Sequence, residues 1–476
     1  MKTKKILSAL LSGVIAFSAM AASTVHAFAA SSGSEKVSVS RVWDGSYDTD
    51  WFTNDKDSYD IYTAEELAGL AYICDNALHA DRFNGVTINL MDDIVLNDTS
   101  NFQNWEKKPP KNLWEPIGMV GDFLFKGYRP FAGTFNGNGH TISGMYTKVE
   151  GYQFGAIPCG LTGLFECLCG AQIMNLRMEK CYAESNGDAG IIAGVSQGTI
   201  YKSVEIDNCK VAALSNAGGI TGQAYKFIQS GIYTVLGYFV GAGVTGVALN
   251  PLFFGESFAQ INDPASMFFY ACKVSDTKIS GNSEGNPNTG GLAGGSGLPT
   301  GIAYCLIENN VFSGNAAAAI PSYPSEKDHY IIKDSYSYNN KDGSGKKAAL
   351  TDSKLVKEVK KATLIKSSFV KKLNSDFYSY DKGSSPKLKS SIETPIDVAL
   401  HGQKATISWE KVDNAVKYKV YYKDSNGKYQ TLSTTRNLTA TLTNVKKGTK
   451  YSILIRAYFK DGKYETVEGG KFSFKA

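Results

Sequence analysis

"GLFECLCGAQIMNLRMEKCYAESNGDA" (Gly163 to Ala189) and "GIIAGVSQGTIYKSVEIDNCKVAALSNA" (Gly190 to Ala217) are two successive units with the same internal pattern. Each starts with a glycine-flanked apolar stretch, continues with alternating apolar and polar residues, and ends in a polar turn rich in Asn, Gly and Ser. A period of 27 to 28 residues with short strands and glycine corners is typical of parallel β-helix coils. The pattern therefore predicts an all-β chain whose coils stack into one continuous core.

The pattern continues on both sides of these two units. A third unit opens with "GGITGQA" at Gly218 and resumes at Met267 with "MFFYACKVSDTKISGN", and a fourth opens with "GGLAGGSGLP" at Gly290. Upstream, Thr63 and Glu66 form a T-x-x-E capping box before an apolar run. This predicts a helix that covers the first coil. Downstream, apolar residues at helical spacing in "DSKLVKEVKKATLIKSSFVKKL" predict a helical segment that closes the other end.

Several motifs in these units resemble a known family. "GLFE", "GIIAG", "GGITG" and "GGLAG" resemble the GLUG motif of bacterial surface proteins. "FAGTFNGNGHTISGM" (Phe131 to Met145) resembles the first full coils of that family, and "SFVKKLNSDFYSYDKGSSPKL" (Ser368 to Leu388) resembles its closing segment. The resemblance spans roughly residues 45 to 390. It implies a right-handed parallel β-helix in an exported, often adhesin-like protein without an assigned activity.

The pattern changes after residue 391 to alternating strands separated by turns such as "DSNGK" and "KDGK". Trp409 stands early in this region, Tyr418 lies within a strand, and Tyr451 follows later. The arrangement resembles a fibronectin type III sandwich with Tyr451 as the corner tyrosine and Trp409 as its core partner. Such modules in bacteria usually serve as spacers or attachment domains.

The N-terminus predicts export. Three lysines precede an apolar run to about Ala22, and small-residue cleavage options follow between Ala27 and Ala30. This is a secretory signal peptide, so the mature protein is expected to be secreted or at the cell surface.

The charge of the chain is unevenly distributed. Residues 326 to 391 contain 15 lysines and eight acidic residues, and residues 392 to 476 contain 13 lysines, two arginines and eight acidic residues. Residues 31 to 325 are acidic, with a net charge of −12. A basic C-terminal third could associate electrostatically with an anionic cell wall, although two ordinary solvated surfaces explain it as well. No basic stripe interleaved with aromatics is evident, so nucleic acid is not an expected partner.

One segment carries no charge at all. "FIQSGIYTVLGYFVGAGVTGVALNPLFFG" (Phe227 to Gly255) is long enough to span a bilayer, but its glycines and Pro251 make it a poor helix. It also interrupts a repeat, so a single span would place the two halves of a closed solenoid on opposite sides of a membrane. An apolar flap packed on the coil and an exposed binding surface both remain possible, and a hairpin that inserts into a target membrane is a third, weaker option.

If the segment is a binding surface, aromatic and leucine side chains would anchor the partner, because such residues dominate binding hot spots. The predicted binding residues are Tyr233, Tyr238, Phe239, Leu252, Phe253 and Phe254.

The eight cysteines suggest core positions more than chemistry. Cys181 and Cys209 occupy the same place in successive repeats, as do Cys272 and Cys305. Equivalent residues of parallel coils stack at about 4.8 Å, so stacked buried thiols are predicted, with bridges possible. Cys167 begins a C-x-C pair without a nearby histidine, and no metal site or cofactor is predicted.

An enzymatic alternative would need carboxylates that face one cleft, as in polysaccharide hydrolases and lyases. The candidates are Asp92 with Asp93, Asp188, and Glu205 with Asp207. Asp188 is expected in a turn, and the last pair is expected on a solvated outer face, with no lysine or arginine converging on these acids. No catalytic residue is therefore predicted.

The sequence thus predicts a signal peptide (1–30), a parallel β-helix (31–391) and a fibronectin type III-like domain (392–476). The β-helix would include an insert at about 224–266 and a basic closing segment at about 326–391. The predicted function is non-catalytic capture of a host or neighbouring-cell protein, such as immunoglobulin, through the insert. The alternative is a β-helix that binds or cleaves polysaccharide.

Overall fold

A computed structural model gives the fold of most of the chain outside its N-terminus. It describes residues 37–76, 83–119, 129–150, 153–154, 157–158, 160–224, 266–281, 287–321, 330–389, 396–401, 403–409, 412, 415–423, 428–460 and 462–475. The predicted signal peptide and residues 225–265 of the predicted insert lie outside the described residues. The chain divides into a repeat unit, Val42–Ile392, and a sandwich unit that includes Glu393–Ala476. It is mostly β-structure.

The repeat unit is built mainly from parallel strands. Its largest sheet, called here the long sheet, has 14 strands among the described residues. They are Ser58–Ile61, Thr87–Leu90, Ile94–Val95, Thr134–Asn136, Thr141–Ser143, Gln172–Glu179, Ile200–Asp207, Met267–Tyr270, Lys273–Ser275, Thr300–Ala303, Leu306–Glu308, Tyr330–Lys333, Tyr336–Tyr338 and Lys357–Glu358.

Three smaller parallel sheets accompany the long sheet, with six, five and four strands. The six-stranded sheet contains Tyr146–Val149, Tyr182–Ser185, Lys210–Ala213, Lys278–Gly281, Val311–Ser313 and Lys341–Asp342. The five-stranded sheet contains Leu161–Thr162, Asp188–Gly190, Asn216–Gly218, Asn288–Gly290 and Asn315–Ala317. The four-stranded sheet contains Phe165–Cys169, Ala193–Gln197, Thr221–Ala224 and Ala293–Ser296. Two antiparallel hairpins pair Gln153–Phe154 with Ile157–Pro158 and Tyr378–Ser379 with Lys387–Leu388.

The chain visits the four parallel sheets in the same order in successive repeats. Gln172 pairs with Ile200, its equivalent one repeat later, and Ile200 pairs in turn with Phe268. Strand Thr221–Ala224 ends just before the predicted insert, and strand Met267–Tyr270 follows it. These two strands occupy consecutive positions of one repeat, so the intervening residues are an insertion into the repeat pattern.

Residues in the left-handed backbone region bend each repeat at matching places. Lys180, Asn208, Asp276, Asn309 and Asn339 all have φ between 48° and 57° and follow equivalent strands. Asn and Asp tolerate this conformation better than most residues. This explains why Asn or Asp occupies four of these five positions, with Lys180 as the exception.

The N-terminal helix is confirmed at Ala64–Asn76. The backbone N–H of Glu66 donates to Thr63 Oγ1 at 3.1 Å, and the N–H of Thr63 donates back to Glu66 Oε2 at 3.1 Å, which completes the capping box. Leu67 and Leu70 are fully buried in the repeat core. A short 3-10 helix, Thr99–Asn104, lies farther along the chain.

The basic closing segment differs from the prediction. The described helices are Lys361–Leu364 and Ser367–Leu373, and they pack on the outer face of the long sheet instead of closing its end. Residues nearer 350 join the repeat core, and the Asp352 carboxylate accepts the backbone N–H groups of Ala318 and Ala319, both at 2.8 Å. That carboxylate satisfies backbone donors of the last repeat.

The sandwich unit has two four-stranded sheets around its own core. One contains Val37–Ser40, Ile396–His401, Lys404–Trp409 and Thr439–Thr443; the other contains Tyr429–Thr435, Lys417–Lys423, Lys450–Tyr458 and Tyr464–Lys475. The strand Val37–Ser40 pairs in parallel with Ile396–His401, although the predicted boundary placed it in the repeat domain.

The tyrosine corner of this unit is present. The N–H of Lys446 donates to the Tyr451 hydroxyl at 2.9 Å. The predicted contact between Tyr451 and Trp409 is replaced by two others, since Trp409 packs on Tyr418 and Tyr451 stacks on Phe474.

Candidate functional site

Six charged side chains come together on the outer face of the long sheet, the face opposite the repeat core. Strand register places them in two adjacent columns that run across successive repeats. This charged cluster consists of Arg177, Glu179, Glu205, Asp207, Lys273 and Glu308.

Lys273 is the centre of the cluster. Its Nζ lies 3.2 Å from Glu308 Oε1 and 3.7 Å from Glu205 Oε1. The side chains of Lys273, Glu205 and Glu308 are only 9%, 8% and 3% exposed. Burial lowers the pKa of Lys273, but the charges of Glu308 and Glu205 outweigh it and the pKa is raised. The ammonium therefore stays charged and is shared between two buried carboxylates.

Arg177 forms the second cationic centre. Its Nη2 lies 2.7 Å from Asp207 Oδ2 and 3.4 Å from Glu179 Oε2. Burial lowers the pKa of Arg177, whereas the charges of Glu205, Asp207 and Glu179 raise it above its usual value. Ser275 Oγ also donates to Asp207 Oδ1 at 2.8 Å. The buried Arg177 Nε and Glu205 Oε2 have no hydrogen-bond partner among the described residues.

Residues 359–389, called here the cover segment, lie over this part of the sheet. Ser385 Oγ contacts both oxygens of Glu308, at 2.7 and 2.6 Å. The Tyr378 hydroxyl reaches the backbone oxygens of Cys272 at 3.2 Å and Tyr304 at 2.9 Å. Apolar side chains of the segment pack against the outer face beside the cluster: Leu364, Phe369, Val370, Leu373, Tyr378 and Leu388. Glu308 is thus closed off from solvent by the chain itself.

Two sequence predictions about these acids were wrong. Glu205 and Asp207 were expected on a solvated face, yet Glu205 is only 6% exposed. No cation was expected to converge on them, yet Arg177 and Lys273 do so. Lys273 lies one repeat after Glu205, but the insert separates the two residues by 68 positions and hides the relationship. Aligning Ile200 with Phe268 across the insert would have revealed it.

Asp188 lies in the strand Asp188–Gly190 and not in a turn. Its Oδ1 accepts the side-chain amide of Asn216 at 2.7 Å and the backbone N–H of Asn216 at 3.0 Å. The ladder continues through Asn288 and Asn315, each donating to the preceding side chain. Burial raises the pKa of Asp188 to about 6, although the hydrogen bonds from Asn216 oppose the shift. Asp188 is therefore a member of a buried amide ladder.

Asp93 also has a structural role. Its Oδ1 accepts the backbone N–H of Thr141 at 2.8 Å and lies 3.2 Å from Nδ1 of His140. Asp92 Oδ1 accepts the N–H of Asp93 at 2.8 Å. These contacts tie consecutive turns of the chain together.

The described cysteines are buried, and Cys181, Cys209, Cys272 and Cys305 are free thiols, as expected for stacked core positions. Cys181 N–H donates to Cys209 Sγ at 3.3 Å. Cys272 and Cys305 stand opposite each other between paired strands. Cys167 lies within the repeat unit with no exposed surface.

The predicted binding residues of the insert lie outside the described residues: Tyr233, Tyr238, Phe239, Leu252, Phe253 and Phe254. Within the part of the chain that the structure describes, no helix is long and apolar enough to cross a membrane. The same residues contain no group of three or more His, Cys, Asp or Glu side chains arranged to hold a metal ion.

Comparison with known proteins identifies the C-terminal domain. Residues 401–466 match the family described as "PBP1-like, fibronectin3-like domain", which confirms a fibronectin type III-like domain near the C-terminus. A solved structure described as "Structure of FN3tt mut" is 20% identical, covers 17% of this chain and 88% of its own, and has a TM-score of 0.14.

One relative matches part of the chain. Halomucin of Haloquadratum walsbyi is 30% identical over 165 residues, which is 34% of this chain and 2% of Halomucin. The chain thus spans only a small fraction of the length of that relative.

Proposed function

We propose that the protein is an exported, non-catalytic binding protein of the cell surface, in which a right-handed parallel β-helix presents an apolar insert to a protein partner. The β-helix is supported by the repeated order of the four sheets and by the parallel pairing of each strand with its equivalent one repeat later. Its units carry the GLUG-like motifs, and the fibronectin type III-like domain would extend or tether them.

The observation that carries this proposal is the position of the insertion. Strands Thr221–Ala224 and Met267–Tyr270 are consecutive in one repeat, so about 40 residues are added between two neighbouring strands without a change in the pattern on either side. Insertions in repeat proteins map to one face, which is often the binding face. The aromatic side chains of residues 227–259 would supply the anchors.

The state of the carboxylates also favours binding over catalysis. Glu205 and Glu308 are neutralised by Lys273, and Ser385 of the cover segment binds Glu308. Asp188 is held in the amide ladder. A glycosidase or lyase needs acids or bases that a substrate can reach, and these groups are engaged with the fold.

The test compares the chain with a variant in which residues 227–259 are replaced by a short Gly/Ser linker. Purified immunoglobulin is the first probe, followed by host serum and mucosal secretions, with bound proteins identified by mass spectrometry. A matched control replaces exposed aromatics elsewhere, Tyr47, Tyr62 and Tyr380, by serine. We expect capture by the chain and the control but not by the linker variant, with unchanged circular dichroism.

Equal capture by all three proteins, or capture by none, would reject the insert as the binding surface. The polysaccharide alternative is tested with the same proteins on polygalacturonate. If cleavage survives insert replacement and is lost in Glu205→Gln, the protein is an enzyme and the proposal fails.

A further inference from the structure

The sandwich unit carries cations and tyrosines on the outer face of one sheet. In strand Lys417–Lys423 the alternate residues Tyr418 and Val420 are buried, which directs Lys417 and Lys419 to the opposite side. Neighbouring strands add further cations and aromatic rings to the same side. This surface, called here the basic face, consists of Lys417, Lys419, Tyr421, Lys423, Arg456, Tyr458 and Tyr464.

The cations are held over aromatic rings. The Arg456 guanidinium carbon lies 4.4 Å from the ring centroid of Tyr464 and 5.7 Å from that of Tyr421. Lys419 Nζ lies 5.1 Å from the Tyr458 ring centroid. Attraction to the ring quadrupole fixes such side chains without neutralising them. The basic face is therefore both ordered and positively charged.

Within the described residues, none of the four cations of the basic face forms an ion pair with a carboxylate. The buried Arg456 Nε has no hydrogen-bond partner there either. The pKa of Tyr458 is lowered by its hydrogen bond with Tyr421 and by the positive charge of Lys419. In the repeat unit, by contrast, the cations Lys273 and Arg177 are paired with neighbouring acids.

We infer that the basic face is a binding site for a linear anionic polysaccharide bearing carboxylate or sulfate groups. Lys417, Lys419 and Lys423 lie along one strand, and six residue steps of about 3.4 Å place the outer two roughly 20 Å apart. A chain with regularly repeated negative charges could contact all three at once. Each contact would exchange a counterion for a fixed charge, so binding depends on salt.

Two other classes of ligand fit less well. Strand Lys417–Lys423 is paired on both sides, by Tyr429–Thr435 and Lys450–Tyr458, so a peptide cannot add to it as a new strand. Binding of single-stranded nucleic acid relies on open aromatic faces for base stacking. Here the rings of Tyr421, Tyr458 and Tyr464 already have cations over them.

The sequence contained a signal for this surface. "KYKVYYK" (Lys417 to Lys423) interleaves lysines with tyrosines, although no such stripe was recognised from the sequence. The inference does not depend on the apolar insert. It assigns a position and a ligand chemistry to the proposed electrostatic association of the basic C-terminal third.

The experiment uses fluorescence anisotropy to measure binding of the full chain to fluorescein-labelled heparin and polygalacturonate between 50 and 300 mM salt. Labelled dextran serves as the neutral polysaccharide, and labelled oligothymidylate serves as the nucleic acid probe. One variant is Lys417→Gln/Lys419→Gln/Lys423→Gln. The control, Lys404→Gln/Lys446→Gln/Lys447→Gln, removes the same charge from exposed positions of the sandwich unit outside the basic face.

We expect the basic-face variant to bind both acidic polysaccharides about tenfold more weakly and with a shallower salt dependence, because three exposed ion pairs are lost. The control should change by less than about twofold on the same scale. The inference would be overturned if both variants lost the same affinity, or if the unmodified chain bound neither polysaccharide. It would also be overturned if oligothymidylate bound more tightly than either polysaccharide. Protein capture through the insert can succeed or fail independently of these outcomes.

Discussion

Replacement of Lys273 by methionine tests whether the charged cluster holds the repeat unit together. The substitution keeps the length of the side chain but removes the ammonium that lies between Glu205 and Glu308. Both carboxylates would remain buried without their main counter-charge. Removing one partner of a buried ion pair usually costs about 3 to 5 kcal/mol.

The structure suggests the lower end of that range. Ser385 still contacts both oxygens of Glu308, and the positive charge of Arg177 still lies near Glu205. We therefore expect Lys273→Met to lose about 3 kcal/mol of unfolding free energy at pH 7.5. Lys148→Met is the matched control, since Lys148 pairs with Glu184 at 2.9 Å but is 40% exposed, and it should lose less than about 1 kcal/mol.

The loss should depend on pH in a defined direction. In the Lys273→Met variant, burial without a counter-charge would penalise the ionised form of both carboxylates, and protonation would remove that penalty. Groups with a raised folded pKa stabilise the fold when protonated, so the deficit should shrink as pH falls from 7.5 toward 4.5. In the unmodified chain the pKa of Lys273 is itself raised, so its contribution is constant over this interval and declines only above its usual pKa of about 10.4.

The assay is urea unfolding followed by circular dichroism, with hydrogen exchange of strands Ile200–Asp207 and Lys273–Ser275 as the local readout. A triple variant, Glu205→Gln/Lys273→Met/Glu308→Gln, should recover more than half of the loss because it leaves no unpaired charge. The reasoning is refuted if Lys273→Met costs no more than Lys148→Met, or if the triple variant is less stable than the single one.

Substitutions at three further positions test other parts of the repeat unit by thermal or urea unfolding. Asp188→Asn should stabilise the fold by about 2 to 3 kcal/mol at pH 7.5, because the folded pKa of about 6 lies above the unfolded value of 3.8. The gain should shrink as pH falls below 6 and vanish only well below the unfolded value of 3.8, where Asp188 is protonated in both states. An equal gain at pH 4 would contradict this account. Lys180→Asn should stabilise the fold by about 0.5 kcal/mol, since Lys180 has a φ of 48° that asparagine tolerates better. Lys180→Val should destabilise the fold, because a β-branched residue tolerates this φ poorly. The reverse order of stabilities would be inconsistent with backbone strain at this position. Asn310→Ala should cost about 2 to 4 kcal/mol because the fully buried amide oxygen accepts the N–H of Thr277 at 3.0 Å. A cost below about 1 kcal/mol would show that this hydrogen bond is dispensable.

The repeat period predicted the parts of the fold that depend on equivalent positions. Cys181 and Cys209 are 28 residues apart in the sequence and stand opposite each other just before the paired strands Tyr182–Ser185 and Lys210–Ala213. The sequence period predicts these contacts because each repeat packs mainly on its neighbours. The corner tyrosine, Tyr451, was predictable because its hydrogen-bond partner, the N–H of Lys446, lies only five residues away in the sequence.

The parts that were missed depend on contacts between distant residues. Lys273 meets Glu205 only because the repeat resumes after the insertion. The basic closing segment has apolar residues at helical spacing, but that spacing does not say which surface they cover. The long sheet offers Leu306 and Tyr336 on its outer face, so Phe369 packs there and the segment lies across the repeats.

This arrangement limits where a ligand can bind. On the outer face of the long sheet, the cover segment already occupies the apolar surface, and the acids of the cluster already have cationic partners, so neither offers much free energy to a ligand. The two proposed binding regions differ from it in opposite ways. Residues 227–255 of the insert carry no charge, whereas the basic face carries cations that form no ion pair within the described residues. The two regions belong to different units of the chain. When residues 227–259 are replaced and Lys417, Lys419 and Lys423 are substituted in one molecule, protein capture and polysaccharide binding should each change as they do in the separate variants, as is usual for independent sites. Loss of polysaccharide binding on insert replacement alone would instead indicate one composite site.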